Sequence, residues 1–264
     1  MQMFAKLNQY RQTLNNFPLP KPKKNQSQNQ YKFEWAEDLK QIQEVQKFRA
    51  EQFSKQFGIH FANGLDQDVY DFGCEHAVLR DRLTNEIVAY TRLKRFQGFE
   101  LAKSYSAQEF KIVPELSDLS NIVEIGRTCV HPRYRNGRAL SILWMNLVPK
   151  VLWEMRAKYL IGCVSIRLDG NEARAYYTHK KLQNLSLAQK INIPSQMKFE
   201  PKHPNYSFAQ DEKIPKLFQV YLDMQAKLSP EAFYDEEFNC LDYFVYLEVN
   251  NIAKNFVLNK MAHR

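Results

Sequence analysis

The hydrophobic rhythm of the chain changes period between residues 121 and 152. From Ile122 to Val130 apolar and polar positions alternate, which predicts a strand with Ile122, Glu124, Gly126, Thr128 and Val130 on one face and Val123, Ile125, Arg127 and Cys129 on the other. After Gly137 the apolar positions are Leu140, Leu143, Trp144, Leu147, Val148, Val151 and Leu152, the i, i+3, i+4 stripe of an amphipathic helix. The nearly continuous apolar run at 159–166 then reads as a central strand reached by a βαβ crossover.

Upstream, the pattern predicts a strand at 31–35 and a helix at 36–57 with Ile42, Val45, Phe48, Arg49, Phe53 and Phe57 near one face. Arg49 is out of place in that stripe, and snorkelling to the surface is its plain reading. Segments 75–81 and 86–95, joined around Thr84 and Asn85, form a predicted hairpin that puts Tyr90 and Arg92 on one face. Residues 97–119 are irregular and long for a connector, as a lid or wall of a site would be. Downstream come a helix at 171–182, a proline-rich basic stretch at 190–207, a helix opened by Pro215 and a strand at 241–249. A short amphipathic helix at 3–14 and the proline-containing polar segment 17–30 precede all of this. The expected division is therefore an N-terminal helix and linker at 1–30 and a mixed α/β domain at 31–264.

Composition narrows the function classes. The 264 residues carry a net charge of +8, which favours an acidic partner: a nucleic acid, an anionic membrane or an acidic carrier protein. The aromatics are accounted for as core and do not interleave with basic residues as in single-strand binding motifs, so no nucleic acid is expected. Cys74, Cys129, Cys163 and Cys240 form no C-x-x-C pair, which reads as inert thiols in a reducing cytoplasm. Neither a signal peptide nor a membrane-spanning run is visible, although peripheral contact with the inner membrane fits the charge. No metal is expected: LDQDVYD (Asp66, Asp68, Asp71) lacks the glycine and glutamate of a calcium loop, and the histidines have no zinc spacing. G-x-G-x-x-G and G-x-x-x-x-G-K-[ST] are absent, which removes the dinucleotide and P-loop readings.

Between the core strand and its helix lies a basic turn, HPRYRNGRA, where Arg133, Arg135, Arg138 and the helix N-terminus converge as an anion site. Glu124 and Arg127 should face opposite ways by strict alternation. A β-bulge at Gly126 would turn both toward one cleft and free a backbone N–H to act as an oxyanion donor. From spacing alone, ordinary polar residues near a strand end fit at least as well.

EIGRTCVHPRYRNG, with LDQDVYDFGCEHAVL and VAYTRL upstream, resembles the acyltransferase branch of the GNAT superfamily. Within that branch it is similar to ornithine-lipid N-acyltransferases, whose members carry E-[LI]-[SG]-R-[ST]-C-V-H-P-x-Y-R. The resemblance runs from about Gln46 to about Val249. Acyl-homoserine-lactone synthases share a thinner pattern, met here by Arg49, by Asp68 with Asp71, by Arg92 with Leu93, and by Glu124 with Arg127. The resemblance implies a GNAT-like mixed sheet flanked by helices, whose splayed central strands hold an acyl-pantetheine arm. It further implies transfer of a (3-hydroxy)fatty acyl group from acyl carrier protein to the α-amine of an amino acid, ornithine, giving lyso-ornithine lipid, with no permanently bound cofactor.

The implied roles follow the same motif. Glu124 would take the amine's proton through water, Arg127 would stand beside it, and the backbone near Cys129 would hold the oxyanion, with Cys129 as acyl-accepting nucleophile a lesser option. Asp68 and Asp71 would meet a cationic side chain, Arg92 or Arg127 would bind the acceptor's carboxylate or instead fix Asp68 and Glu124, and Arg49 would belong to the same substrate-binding set. Thr128, Val130, His131, Arg133, Arg135, Gly137, Arg138 and Ala139 would grip the donor. In the family's [QR]-x-x-G-x-[GA] loop the first slot is here Tyr134, which disfavours acyl-CoA with its pyrophosphate and favours the single phosphodiester of a carrier protein. Two other readings stay open: an acyl-homoserine-lactone or other N-acyl amino acid synthase, and a non-catalytic GNAT-like module that binds a membrane or a protein partner.

Overall fold

The computed structural model describes residues 30–170, 172–202 and 214–249. The predicted helix at 3–14 lies outside the described residues, as do nearly all of the linker and part of the 190–207 stretch. The strands are β1 (Tyr31–Ala36), β2 (Glu75–Asp81), β3 (Ile87–Phe96), β4 (Ile122–Val130), β5 (Tyr159–Arg167), β6 (Lys198–Phe199), β7 (Lys227–Leu228), β8 (Ala232–Asp235) and β9 (Cys240–Glu248). The helices are α1 (Leu39–Phe57), α2 (Ser106–Glu109), α3 (Val113–Leu116), α4 (Arg138–Pro149), α5 (Glu172–Gln183) and α6 (Lys216–Asp223). The strands join in one sheet in the order β1-β2-β3-β4-β5-β9-β8-β6, with β7 also pairing β9. β4 and β5 run parallel, with α4 as their crossover, and the other pairs are antiparallel.

Local chemistry sets the elements. α1 starts three residues later than the apolar pattern suggests, because Ala36 is still paired with His76 in the sheet. Asp38 then accepts from the Gln41 N–H while Gln41 reaches back to the Asp38 N–H, a reciprocal cap. α4 runs to Pro149, whose ring leaves a gap in the hydrogen-bond ladder, and a widened turn over Lys150–Glu154 follows, closed by Met155 N–H to the Lys150 carbonyl. β6, β7 and β8 went unforeseen, since two to four residues are too few to show a period.

The two faces of the sheet are covered differently. Ala77 and Leu79 pack under α4 with Leu143, Leu147 and Val151, and this core continues beneath α5 and α6 through Val164, Leu241, Tyr243 and Phe218. Val78, between Ala77 and Leu79, points the other way, onto α1 with Val45, Phe48 and Phe53. On that second face the irregular segment 98–116 covers Ile122, Ile161, Phe244 and Tyr246. Each fully buried aliphatic side chain contributes about 1.5–3 kcal/mol of hydrophobic stabilisation. Among the described residues no helix is long and apolar enough to cross a membrane.

Candidate active site

β4 and β5 form a fork. They pair only from Ile122–Tyr159 to Glu124–Ile161, whereas β4 stays paired with β3 as far as Val130. From Ile125 onward the edge of β4 that faces β5 therefore has no strand partner among the described residues. At the fork, a Cβ on Gly162 would stand 2.5 Å from the Ile125 carbonyl oxygen, so only glycine lets the strands approach this closely before they part. Between the arms of the fork lies a cavity of about 400 Å³, within the usual range of small-molecule sites.

A bulge shapes the β4 arm. Tyr90 opposes Cys129 and Arg92 opposes Gly126, so the single residue Thr91 faces both Arg127 and Thr128. The expected distortion is present but is carried by Arg127, at φ +50°, while Gly126 keeps its place in the ladder. Thr91 ties the bulge down, with its hydroxyl 3.2 Å from the Gly126 carbonyl and 2.8 Å from the Thr128 hydroxyl. A left-handed arginine costs on the order of 1 kcal/mol. Its guanidinium is held in place by Asp68 at 3.2 Å and Asp66 at 3.5 Å, and lies over the rings of Phe238 and Tyr105 at 5.0 and 5.1 Å.

Glu124 and Arg127 both line the cavity, as a bulge would require, yet no ion pair joins them. Glu124 instead caps α2. Its Oε1 accepts from the Ser106 N–H at 2.7 Å and the Ser106 hydroxyl at 2.6 Å, and its Oε2 accepts from the Tyr105 N–H at 3.1 Å. Ser106 thus lines the cavity beside the carboxylate it is hydrogen-bonded to.

Arg49, Arg92 and Arg127 interlock with Asp66, Asp68 and Asp71. Arg49 is fully buried, which corrects the snorkelling expectation: it donates to Asp66 at 2.9 Å, to Asp71 at 2.6 and 2.9 Å, and to the Tyr90 hydroxyl at 3.2 Å. Arg92 reaches Asp68 at 2.5 Å and Asp71 at 2.6 Å. Burial by itself would raise the Asp71 pKa, but the Arg49 and Arg92 guanidiniums override it and hold the carboxyl well below the usual range. The network also corrects the expected substrate contacts. Arg49 has no exposed surface and Asp71 is committed to two arginines and Gln46, so both brace the cavity wall behind Arg92 and Arg127, which do line it. Asp68 is likewise shared between Arg92 and Arg127 and caps the turn Val69–Asp71. Cys129 borders the cavity through β4, but burial pushes its thiol up to about 12, so it stays protonated at neutral pH and is unsuited to nucleophilic attack.

The basic turn divides. Thr128, Val130, Arg135 and Gly137 line the cavity mouth, where Arg135 donates to the Val130 carbonyl at 2.9 Å and to Gln56 at 3.0 Å, bridging β4 to α1. Gly137, at φ +87°, starts α4 from a left-handed conformation. Ala139 corrects the expectation for it: it is fully buried in the core under α4. His131 accepts from the Arg133 N–H, and Arg133 pairs with Glu86 at 3.0 Å on the surface. Arg138 has two buried guanidinium nitrogens without a hydrogen-bond partner. The Tyr134 hydroxyl donates to Asp81 at 3.0 Å, so that slot of the loop is given to structure.

The apolar lining comes from Phe53, Phe57 and Phe238 on one side and Leu140, Trp144, Leu217 and Tyr221 on the other. The remaining lining was not anticipated from sequence. Tyr105, Cys163, Ser165, Asp235, Cys240 and Asp242 form a polar floor where β5, β8 and β9 meet, and the buried Glu109 of α2 stands behind it. Burial, reinforced by their proximity to each other, raises the pKa of Glu109 well above the usual carboxyl value, and burial likewise raises that of Asp242. Two signals were available: a glycine inside the apolar run at 162, and an aspartate inside the otherwise apolar strand LDYFVYLEV.

Residues 48–145 match the family of the acetyltransferase (GNAT) domain. An L-ornithine N(alpha)-acyltransferase of Rhodobacter capsulatus is 25% identical over 239 residues, covering 85% of this chain and 92% of that protein. One from Agrobacterium fabrum is 29% identical over 208 residues, covering 73% of this chain and 70% of that protein. The solved structure of FeeM, an N-acyl amino acid synthase from uncultured soil microbes, overlays with a TM-score of 0.48 at 9% identity, covering 88% of this chain and 97% of that one.

Proposed function

We propose that this chain, an acyltransferase carrying a GNAT domain, moves a 3-hydroxy fatty acyl group from the thioester of acyl carrier protein to the α-amine of ornithine, giving the lyso form of ornithine lipid. The observation that carries this reading is the fork: a pantetheine arm needs a slot with a free strand edge, and β4 offers one from Ile125 to Val130. Aromatic and aliphatic walls beside that edge suit a fatty chain.

An α-ammonium cannot attack a thioester until it loses a proton. Ser106 is the relay: its oxygen receives a proton from the amine as its own passes to Glu124, along a contact already 2.6 Å long. The nitrogen then bonds to the thioester carbon, and backbone N–H groups of the bulged segment Thr128 to Val130 face the developing oxyanion. The C–S bond breaks, and the second amine proton leaves with the thiol. Carrier protein is favoured over CoA because the Tyr134 slot is occupied by structure, while the unpaired nitrogens of Arg138 and the first-turn N–H groups of α4 can meet a single phosphodiester. The net charge of +8 would speed encounter with an acidic carrier. The proposed location is the cytoplasm, with peripheral contact at the inner membrane where an amphiphilic product is delivered.

Purified protein with 3-hydroxyacyl carrier protein and ornithine should release carrier thiol in step with N-acylornithine detected by mass spectrometry, and acetyl-CoA should give little. Absence of thiol release with any amino acid would overturn the reading. Release with S-adenosylmethionine instead of ornithine would reassign the chain as a lactone synthase.

A further inference from the structure

The floor of the cavity has a deficit of positive charge. Asp235 and Asp242 line it from two strands and Glu109 of α2 stands behind them, and among the described residues no lysine or arginine forms a salt bridge with any of the three. Glu109 is 3% exposed and neither carboxyl oxygen has a partner at full hydrogen-bond geometry, although the Tyr105 hydroxyl, the Cys163 thiol and Asp242 stand close enough to interact with it. The Asp235 and Asp242 carboxylates lie within 4.8 Å of each other and of the Cys240 sulfur. The groups around them are all neutral or acidic: the Tyr105 hydroxyl 3.4 Å from Asp235, the Cys240 thiol 3.6 Å from Asp242, and Cys163, itself 3.7 Å from Ser106. Glu124 lies beyond Ser106. Arg127, which lies over the Tyr105 ring, is held by Asp66 and Asp68.

We propose that Glu109, Asp242 and Asp235 form the subsite that takes the side-chain ammonium of a basic amino-acid acceptor. This deepens the acyl-transfer reading and rests on it, because it assumes that an amino acid enters this cavity. The α-amine must lie near the bulge of β4, beside Ser106 and Glu124, so a side chain extending toward β9 brings its far end to the acids. A neutral side chain would leave two buried carboxyls facing each other, which is tolerable only while they share a proton. An ammonium takes that proton's place, between the Asp242 carboxylate that lines the cavity and the Glu109 carboxylate behind it. The exchange balances: one ammonium enters and one proton leaves to solvent.

The test is calorimetry of the full chain with ornithine and with norvaline, which has the same carbon chain without the terminal amine. Titrations run in two buffers of different ionisation enthalpy, with a chelator present so that no divalent ion is the cause. About one proton released per ornithine bound, and none with norvaline, is the expected result. Equal affinity for the two, or ornithine binding without proton release, would overturn the subsite. In turnover assays, Asp242→Asn and Glu109→Gln should each shrink the ornithine-over-norvaline preference in kcat/KM from about 100-fold or more to under tenfold. A variant that slows both acceptors equally and leaves the ratio intact would also overturn it. Proton-coupled ornithine binding without acyl transfer would sink the functional reading and leave the subsite standing. Transfer to norvaline as fast as to ornithine would do the reverse.

Discussion

Gly162 passes so close to Ile125 that a methyl group on it would stand 2.5 Å from the Ile125 carbonyl oxygen. The obstacle is backbone and cannot swing aside, and it sits just past the last β4–β5 pair, Glu124 with Ile161. Gly162→Ala must therefore push the fork open from its base. The expected cost is about 1–3 kcal/mol in urea denaturation, as for other overpacked sites, together with at least a tenfold loss of transfer. Wild-type stability and turnover in this variant would mean that the strands do not meet as described.

The Ser106 hydroxyl separates two roles for Glu124. As a cap of α2, the carboxylate matters for stability alone; as the terminus of a proton relay, it matters for turnover. Glu124→Gln should lower kcat by about 100-fold or more, with a smaller change in the KM for donor. Ser106→Ala removes the relay but keeps both backbone N–H contacts to Glu124, so it should also lower kcat while melting near the wild type. A Ser106→Ala enzyme at full speed would exclude the relay and require another proton path.

Arg49 lies behind the cavity wall, and its loss should be read in stability before activity. Arg49→Met leaves Asp66 and Asp71 buried with fewer partners, and breaking a buried ion pair from one side costs about 3–5 kcal/mol. Asp71→Asn should cost a similar amount, and the double variant should lose less than the sum of the two because they share one contact. If Arg49 held the acceptor instead, the substitution would raise the KM for ornithine in a normally stable protein.

The fate of Arg49 shows where sequence reading ends. The strand, basic turn and helix from 121 to 152 were legible because the hydrophobic period switches within one stretch, and each element is long enough to show it. The bulge was legible too, displaced by one residue from the glycine that suggested it. The partners of Arg49 come from 17 and 22 residues away, so nothing in its own helix distinguished a buried anchor from a snorkelling side chain. The same holds for the acids of the floor. Asp242, a charge in an apolar strand, carried a signal that went unread, and its neighbour Glu109 comes from a four-residue helix with no periodicity to mark it. Strands of two to four residues carry no pattern either, and β8 is the one that brings Asp235 to the cavity.

The raised pKa values of Glu109 and Asp242 make a prediction about pH whose sign is fixed. In the unfolded chain both carboxyls lose their protons near the ordinary value of about 4. In the folded chain burial makes the pair retain a proton to higher pH, so above about 4 the native state holds more protons and its stability falls as pH rises toward the raised native value. Asp71, held low by its arginines, works in the opposite sense. Its contribution is complete above the ordinary carboxyl value and is lost on acidification below it. His76 and His179, kept neutral by burial, also oppose the pair below about 6.5, where the unfolded histidines take up protons. The informative quantity is therefore the difference between wild type and Asp242→Asn, in which these other groups cancel. As pH rises from 5 to 8 the wild type should lose stability relative to the variant, by at most about 1.4 kcal/mol per pH unit for one proton. A ligand that expels that proton gains affinity over the same range, up to about tenfold per pH unit, so saturating ornithine should offset the wild-type decline and leave the variant unmoved. Parallel pH curves for the two proteins, with and without ornithine, would show that Glu109 and Asp242 share no proton for an ammonium to displace.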